Sequence, residues 1–297
     1  MKVEIKKLDQ LKRVLKIEVE GEVLNRDKED IYREIGKLFK VPGFRPGGAP
    51  LDLVEKHHRS AFQQEFLKKA LPSYYSKALA DNSLEPVSTP RIYDVDFNDK
   101  GLIFSAEFEI KPQFEVEGKD YKNLKIKHKA LAVEEIEVEK MITQLKDNVN
   151  KIVKRDCLDE ELAKWAGYPS LEDLKNAIRA EILIGKLRAR KSDMESFVLD
   201  ELSRRIKIEA PRSLVKEQHD KLIQQETYNL RLRGVEEKDI KKYEDDISEK
   251  IKPLAERQVK LYYILEAIAQ KESLAVNSQN IYETVIAYIF SCADYIV

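Results

Sequence analysis

The chain has 297 residues, of which 36% are charged and only 10 are glycine, and its formal charge is -1. That length allows a large core or several domains, and the abundance of charge with so little glycine favours long solvated helices over a compact enzyme barrel. The near-neutral balance excludes a dedicated nucleic-acid binder, so any RNA contact has to be local. Two cysteines far apart in sequence, Cys157 and Cys292, point to neither a disulfide framework nor a metal site, as fits a reducing cytoplasm.

Met1 to Lys7 is charged and alternating, without the apolar core of a secretory signal. Leu15, Ile17 and Val19 alternate with Lys16, Glu18 and Glu20, the period of a half-buried strand, and Val3 and Ile5 are read as its hairpin partner. Asn25 or Asp27 is expected to cap a helix with an apolar stripe of Ile31, Ile35 and Leu38, ended by Val41-Pro42. The next stretch, Val41 to Pro50, holds three of the 10 prolines and three of the 10 glycines. Such a backbone has no helix or strand propensity, so it forms a loop, and its composition pushes Phe44 and Arg45 outward.

Pro50 suits the first turn of a second helix, in which Leu51, Val54, Ala61, Phe62, Phe66, Ala70, Tyr74 and Ala78 recur at helical spacing. After Pro90 the period returns to two. Ile92, Val95 and Phe97 lead to a turn at Asn98-Asp99-Lys100-Gly101, followed by Leu102, Phe104, Ala106, Phe108 and Ile110. The order strand, strand, helices, strand, strand describes an α+β domain over residues 1–112, with the loop at the tip between its helices.

Residues 113–155 are read as a linker, Phe114 to His128, with a short strand at Leu124 and Ile126, and then a first helix with Val138, Met141, Leu145, Val149 and Ile152 on one face. Residues 156–297 are read as a helical domain. Leu171 to Ile206 is one helix of roughly 50 Å, Glu209-Ala210-Pro211 interrupts, and Leu214 to Leu232 resumes. Gly234 supplies a left-handed cap, and Ile247 to Ile268 forms another long helix with Pro253 as a kink or first turn. Val285 to Val297 is too short to span a bilayer of about 30 Å and is expected to be a buried helix, or one that wants a partner.

Gly43, Phe44, Arg45, Gly47 and Pro50 form a Gly-Phe-Arg-x-Gly-x-x-Pro pattern that resembles the ribosome-docking signature of the trigger factor family. Leu171-Glu172-Asp173-Leu174, Ile208 to Val215, Leu254 to Leu261 and Ile268 to Glu272 are similar to that family's substrate-binding domain. The resemblance implies an N-terminal α+β ribosome-binding domain followed by an elongated, discontinuous all-α domain with arms. It also implies a cytoplasmic, ATP-independent chaperone without cofactors. Its partners would be the large ribosomal subunit and unfolded or nascent polypeptides, with no membrane and with weak homodimerisation off the ribosome.

Gly43, Phe44, Arg45, Pro46, Gly47 and Pro50 are then the docking residues, with Arg45 pairing with an acidic residue of a tunnel-exit protein. Lys37, Lys40, Lys56 and Arg59 give a basic surround suited to rRNA phosphates.

Two departures from the family pattern matter. Ile152-Val153-Lys154-Arg155 runs directly into Cys157 to Leu162, where the family usually inserts a Gly-rich prolyl isomerase module, so no isomerase activity is expected. The chain also stops at Tyr295-Ile296-Val297, which is expected to leave one arm incomplete. His57-His58 is the densest histidine feature, but there is no HExxH and no cysteine nearby, and no Walker or dinucleotide loop occurs; neither catalytic residues nor a metal are assigned. A prolyl isomerase and a helical scaffold without client holding remain the alternatives.

Overall fold

A computed structural model describes residues 1–98, 101–127 and 130–296; for residues 32, 33, 35, 36, 55 and 241 it describes the backbone alone. The expected turn residues Asp99 and Lys100, the linker end His128, the terminal Val297 and the side chain of Ile35 therefore lie outside the described residues. The chain divides into two compact units, Met1–Phe114 with Ile208–Lys260, and Glu115–Lys207 with Leu261–Val297. Residues 1–112 fall within the first, and the two segments expected after them are shared between both.

The first unit is built on a four-stranded antiparallel sheet in the order β1-β2-β4-β3, from β1 (Lys2–Lys7), β2 (Lys12–Glu20), β3 (Arg91–Asn98) and β4 (Gly101–Glu109). The expected hairpin pairs Val3 with Ile17 and Ile5 with Leu15. Leu15, Ile17, Val19, Leu102, Phe104, Ala106 and Phe108 turn one face of the sheet into the core. Strand β3 departs from simple alternation. Ile92 and Phe97 are an odd number of residues apart, so a plain strand would send them to opposite faces. A bulge between Tyr93 and Asp96 restores both to the core and leaves Val95 exposed, against expectation.

Helix α1 (Gly21–Ile35) follows β2 without a break, so neither Asn25 nor Asp27 is its cap. Asp27 instead accepts a 2.5 Å hydrogen bond from the Tyr74 hydroxyl. Burial, ahead of this bond, holds the Tyr74 phenol well above its usual range. A 3-10 turn at Gly36–Leu38 then tightens the helical period, which rotates Leu38 out of the expected stripe to 67% exposure.

Helix α2 (Leu51–Asp81) buries Val54, Phe62, Phe66, Ala70, Tyr74 and Ala78 beneath the sheet, whereas Ala61 is exposed. Its axis breaks at His58, where φ and ψ are -133° and 33°.

Beyond Pro112 come α3 (Gly118–Tyr121), β5 (Lys125–Lys127), α4 (Glu135–Val153), α5 (Asp159–Trp165) and α6 (Leu171–Arg205). Val138 and Val149 of α4, Leu162 and Ala163 of α5, and Leu174 and Ile178 of α6 share one core, to which Cys157 also belongs. Ile152, placed by periodicity on the same face, is 66% exposed in the last turn of α4. Ser170 caps α6, accepting from the amide of Asp173 at 3.2 Å.

Helices α7 (Arg212–Leu232), α8 (Glu237–Lys242) and α9 (Glu244–Lys271) follow, with Gly234 in the left-handed region between α7 and α8 and Pro253 inside α9. Within the first unit, α7 starts on Glu109 at the end of β4. The N-cap, Pro211, has no side-chain acceptor, and the nearly buried Glu109 carboxylate takes its place. The carboxylate accepts from the amides of Arg212 (3.1 Å) and Ser213 (2.8 Å) and from the Ser213 hydroxyl (2.5 Å).

The C-terminal stretch is not one helix. Helix α10 (Ile281–Ser291) buries Ile281, Val285, Ile286 and Ile289, and β6 (Asp294–Ile296) then pairs in parallel with β5. The open edge of β5 gives the last residues a ladder that a continued helix could not use. In the same unit Glu272 is held by Lys122 at 2.8 Å and by the hydroxyls of Tyr121 and Tyr288, which together depress its pKa to about 2. No helix among the described residues is long and apolar enough to cross a membrane.

Two outcomes follow from these contacts. Replacing Glu109 with Ala takes away the acceptor of two part-buried helix-start amides, and is expected to cost about 1 kcal/mol. Urea unfolding should show that loss, with faster hydrogen exchange at Arg212 and Ser213. Because the folded pKa of Glu272 lies below that of an unfolded glutamate, about 4.3, its stabilisation is complete above that value and fades as pH falls toward about 2. Thermal melts across this window should lose less stability in Glu272→Gln than in the wild type.

Candidate functional site

The loop between α1 and α2 consists of two turns of the same kind in tandem. In the first, the Phe44 amide donates to the Val41 carbonyl at 3.1 Å; in the second, the Gly48 amide donates to the Arg45 carbonyl at 2.8 Å. Each turn has proline at its second position and glycine at its third, Pro42-Gly43 and Pro46-Gly47, and the glycines have φ of +85° and +81°. These are type II turns, in which proline presets one dihedral and the next residue must enter the left-handed region. Phe44 closes the first turn and Arg45 opens the second, so the two side chains sit at the joint and are both exposed.

Both ends of the loop are anchored. Val41 and Ala49 are each 5% exposed and belong to the core that underlies the sheet, while residues 42–48 between them are all exposed. Before the loop, the buried Phe39 ring lies 5.9 Å from Phe62 in edge contact and 5.8 Å from His58. Phe62 continues to Phe66 at 6.3 Å and Phe66 to Phe97 at 5.3 Å, a row of rings that ends on the sheet. The break in α2 gives His58 its place. Its Nε2–H donates to the Lys40 carbonyl at 2.8 Å, which ties the second helix to the chain entering the loop. The histidine pair is thus divided by role, and His58 is a brace.

Of the expected contacts, Gly43, Phe44, Arg45, Pro46 and Gly47 lie in one continuous exposed segment, and Pro50 is exposed beyond the buried Ala49. Lys37 borders it: a Cβ added to Gly47 would meet Lys37 Cγ at 3.0 Å. Lys37, Lys40, Lys56 and Arg59 are all exposed. Lys56 and Arg59 line a cleft with Lys28, and Lys37 and Lys40 do not. Sequence reasoning missed the anchors Val41 and Ala49, the brace His58, and Leu38, which adds a second large apolar side chain exposed close to the loop in sequence. The only signal for the anchors was a small or branched apolar residue at either end of a Pro-Gly run.

Residues 1–145 match the family described as "Bacterial trigger factor protein (TF)", and residues 170–289 match its C-terminal counterpart. The trigger factor of Syntrophotalea carbinolica is 23% identical over 374 residues, covering 95% of this chain and 85% of that protein. This aligned span exceeds the 297 residues present here, so the relative carries stretches without a counterpart. That of Desulforudis audaxviator is 32% identical over 52% of this chain, which spans about a third (35%) of that relative's length.

A solved structure reported as "Promiscuous Substrate Recognition in Folding and Assembly Activities of the Trigger Factor Chaperone" shares the fold. Its TM-score is 0.56 at 16% identity, over 94% of this chain and 87% of that one. The fold and the matched segments define a class, the ribosome-associated chaperones. Within it, the chain belongs to the bacterial trigger factor family.

The turn geometry can be checked directly. Gly43→Ala places a Cβ in open space but forces it into a left-handed conformation, at about 1–2 kcal/mol. The expected result is a loop whose Phe44 and Arg45 amides gain fast motion in ¹⁵N relaxation, while the sheet amides stay rigid.

Proposed function

We propose that this chain docks at the ribosomal tunnel exit through Phe44 and Arg45, held out by Gly43, Pro46, Gly47 and Pro50, and holds emerging polypeptides without ATP. The observation that carries the reading is the exposed Phe44-Arg45 joint on a loop pinned at both ends in the core. A pinned loop loses little further entropy on docking, so its contacts are not spent on ordering it. Arg45 presents a planar fork suited to a bidentate pair with a carboxylate on a large-subunit protein. Phe44, 43% exposed, adds up to about 2–3 kcal/mol if docking buries it. Lys37, Lys40, Lys56 and Arg59 face rRNA phosphates in this reading, which places the protein in the cytoplasm with the ribosome.

Holding is assigned to the long helices. Helix α7 has no buried residue, and Tyr228 and Leu232 on it and Leu254 on α9 are exposed. On α6, Leu183, Ile184, Leu187 and Phe197 are also exposed. Apolar side chains among dense charge can hold an unfolded segment loosely and stay soluble. Residues 1–112 then serve docking, 113–155 linkage and 156–297 holding. Weak self-association off the ribosome belongs to the same reading, supported by the apolar surface left open at Leu38 and Phe44.

The chain acts without isomerase chemistry in this proposal. Only residues 146–169 separate the two matched segments, and they are occupied by the end of α4, by α5 and by their connection. A segment below about 40 residues is too short for an independent catalytic module.

Co-sedimentation with purified bacterial ribosomes at moderate salt tests the dock. The wild type is expected to pellet, and a Phe44→Ala, Arg45→Ala variant with unchanged circular dichroism to bind at least about thirtyfold more weakly, the equivalent of about 2 kcal/mol. Equal pelleting of the two, or of neither, overturns the loop as the dock and favours a helical scaffold. In parallel, wild type is expected to delay aggregation of an unfolded test protein without ATP.

A further inference from the structure

The first unit contains a cleft of about 430 Å³ beside α2, within the size range of small-ligand sites. Three cations line it: Lys28 from α1, and Lys56 and Arg59 from either side of the break at His58. Its apolar wall is Phe62 and Phe97, and the side-chain amides of Gln63 and Asn98 complete the lining. The Asn98 amide also donates to the Asp96 carboxylate at 3.1 Å, so one acid stands behind the lining. Lys28 Nζ stands 5.2 Å from the centroid of Phe97, so its charge is positioned by the ring and not left on a freely swinging stem.

We infer that this cleft is a binding site for a phosphate-bearing anion. Cations of one sign converging over low-dielectric aromatic walls focus the field into the cleft. A phosphate group matches that field better than a single carboxylate, because it carries more charge and can accept from several donors at once. The guanidinium of Arg59 supplies a fork, Lys56 and Lys28 supply point charges, and the Gln63 amide supplies a neutral donor. The cleft deepens the rRNA reading of Lys56 and Arg59 and rests on it only for one source of phosphate, an RNA backbone; a free nucleotide is the other. It needs neither Phe44 nor Arg45.

The test uses the full chain and ¹H–¹⁵N spectra, following the side-chain amides of Gln63 and Asn98 during titration with inorganic phosphate, adenosine monophosphate, an oligouridylate and an oligoglutamate of matched charge. Saturable shifts are expected with the phosphate ligands and much weaker ones with oligoglutamate. In Lys56→Ala, Arg59→Ala, checked for folding by circular dichroism, affinity should fall at least roughly tenfold, and the salt slope for oligouridylate should flatten by about 1.4.

Phe44→Ala, Arg45→Ala should bind phosphate ligands like the wild type, so loss of ribosome docking and loss of this site are separately visible. Oligouridylate binding more tightly than the mononucleotide assigns the cleft to RNA backbone, and equal affinities assign it to nucleotide-sized ligands; either supports the site. Absence of saturable shifts with every phosphate ligand, equal shifts with oligoglutamate, or an unchanged double variant overturns it.

Discussion

The packing of Phe39 on Phe62 is the contact on which the candidate site depends. It joins the chain entering the loop to the middle of α2, and through Phe66 and Phe97 to the sheet. Rings in edge and offset contact lose energy quickly when displaced, so the row acts as a rigid strut. With Val41 and Ala49 buried at the two ends, the seven residues between them have nowhere to go but outward. The His58 bond to the Lys40 carbonyl closes the same frame from the other helix.

The site therefore couples rigidity with exposure in one short segment. Proline and glycine fix the path of the backbone, and the core fixes its ends. What is left exposed is an aromatic ring next to a cation, a pairing suited to a partner with an apolar pocket beside a carboxylate. A flexible loop with the same side chains would have to be ordered on each encounter, which weakens any contact it makes.

Charge is used structurally elsewhere in the chain. In the first unit the Glu109 carboxylate serves as the missing N-cap of α7, so a helix with no buried residue of its own still has a fixed beginning. In the second unit Glu272 gathers Lys122, Tyr121 and Tyr288 around one carboxylate near the end of α9. Long helices rich in lysine and glutamate bury little apolar surface per residue, and such anchored termini make up part of the difference.

The sequence by itself determined what is local. Alternation set β1, β2 and β4 and their facing residues, helical spacing set α4, α6, α7 and α9, and the Pro-Gly pairs set the loop, because each of these is decided by the residues' own dihedral preferences and by period. Tertiary structure decided what depends on distant partners.

The strand β6, where a helix was expected, is set by β5 far back along the chain, whereas the bulge that turns Val95 outward, the 3-10 turn that exposes Leu38 and the start of α1 at Gly21 were not legible in the spacing of the apolar residues. The same holds for the site. Gly43, Phe44 and Arg45 were legible as an exposed motif, but the anchoring by Phe39, Val41, Ala49 and His58, and the gathering of Lys28 with Lys56 and Arg59, come from packing α1, α2 and the sheet together, and no spacing along one strand of sequence encodes that geometry.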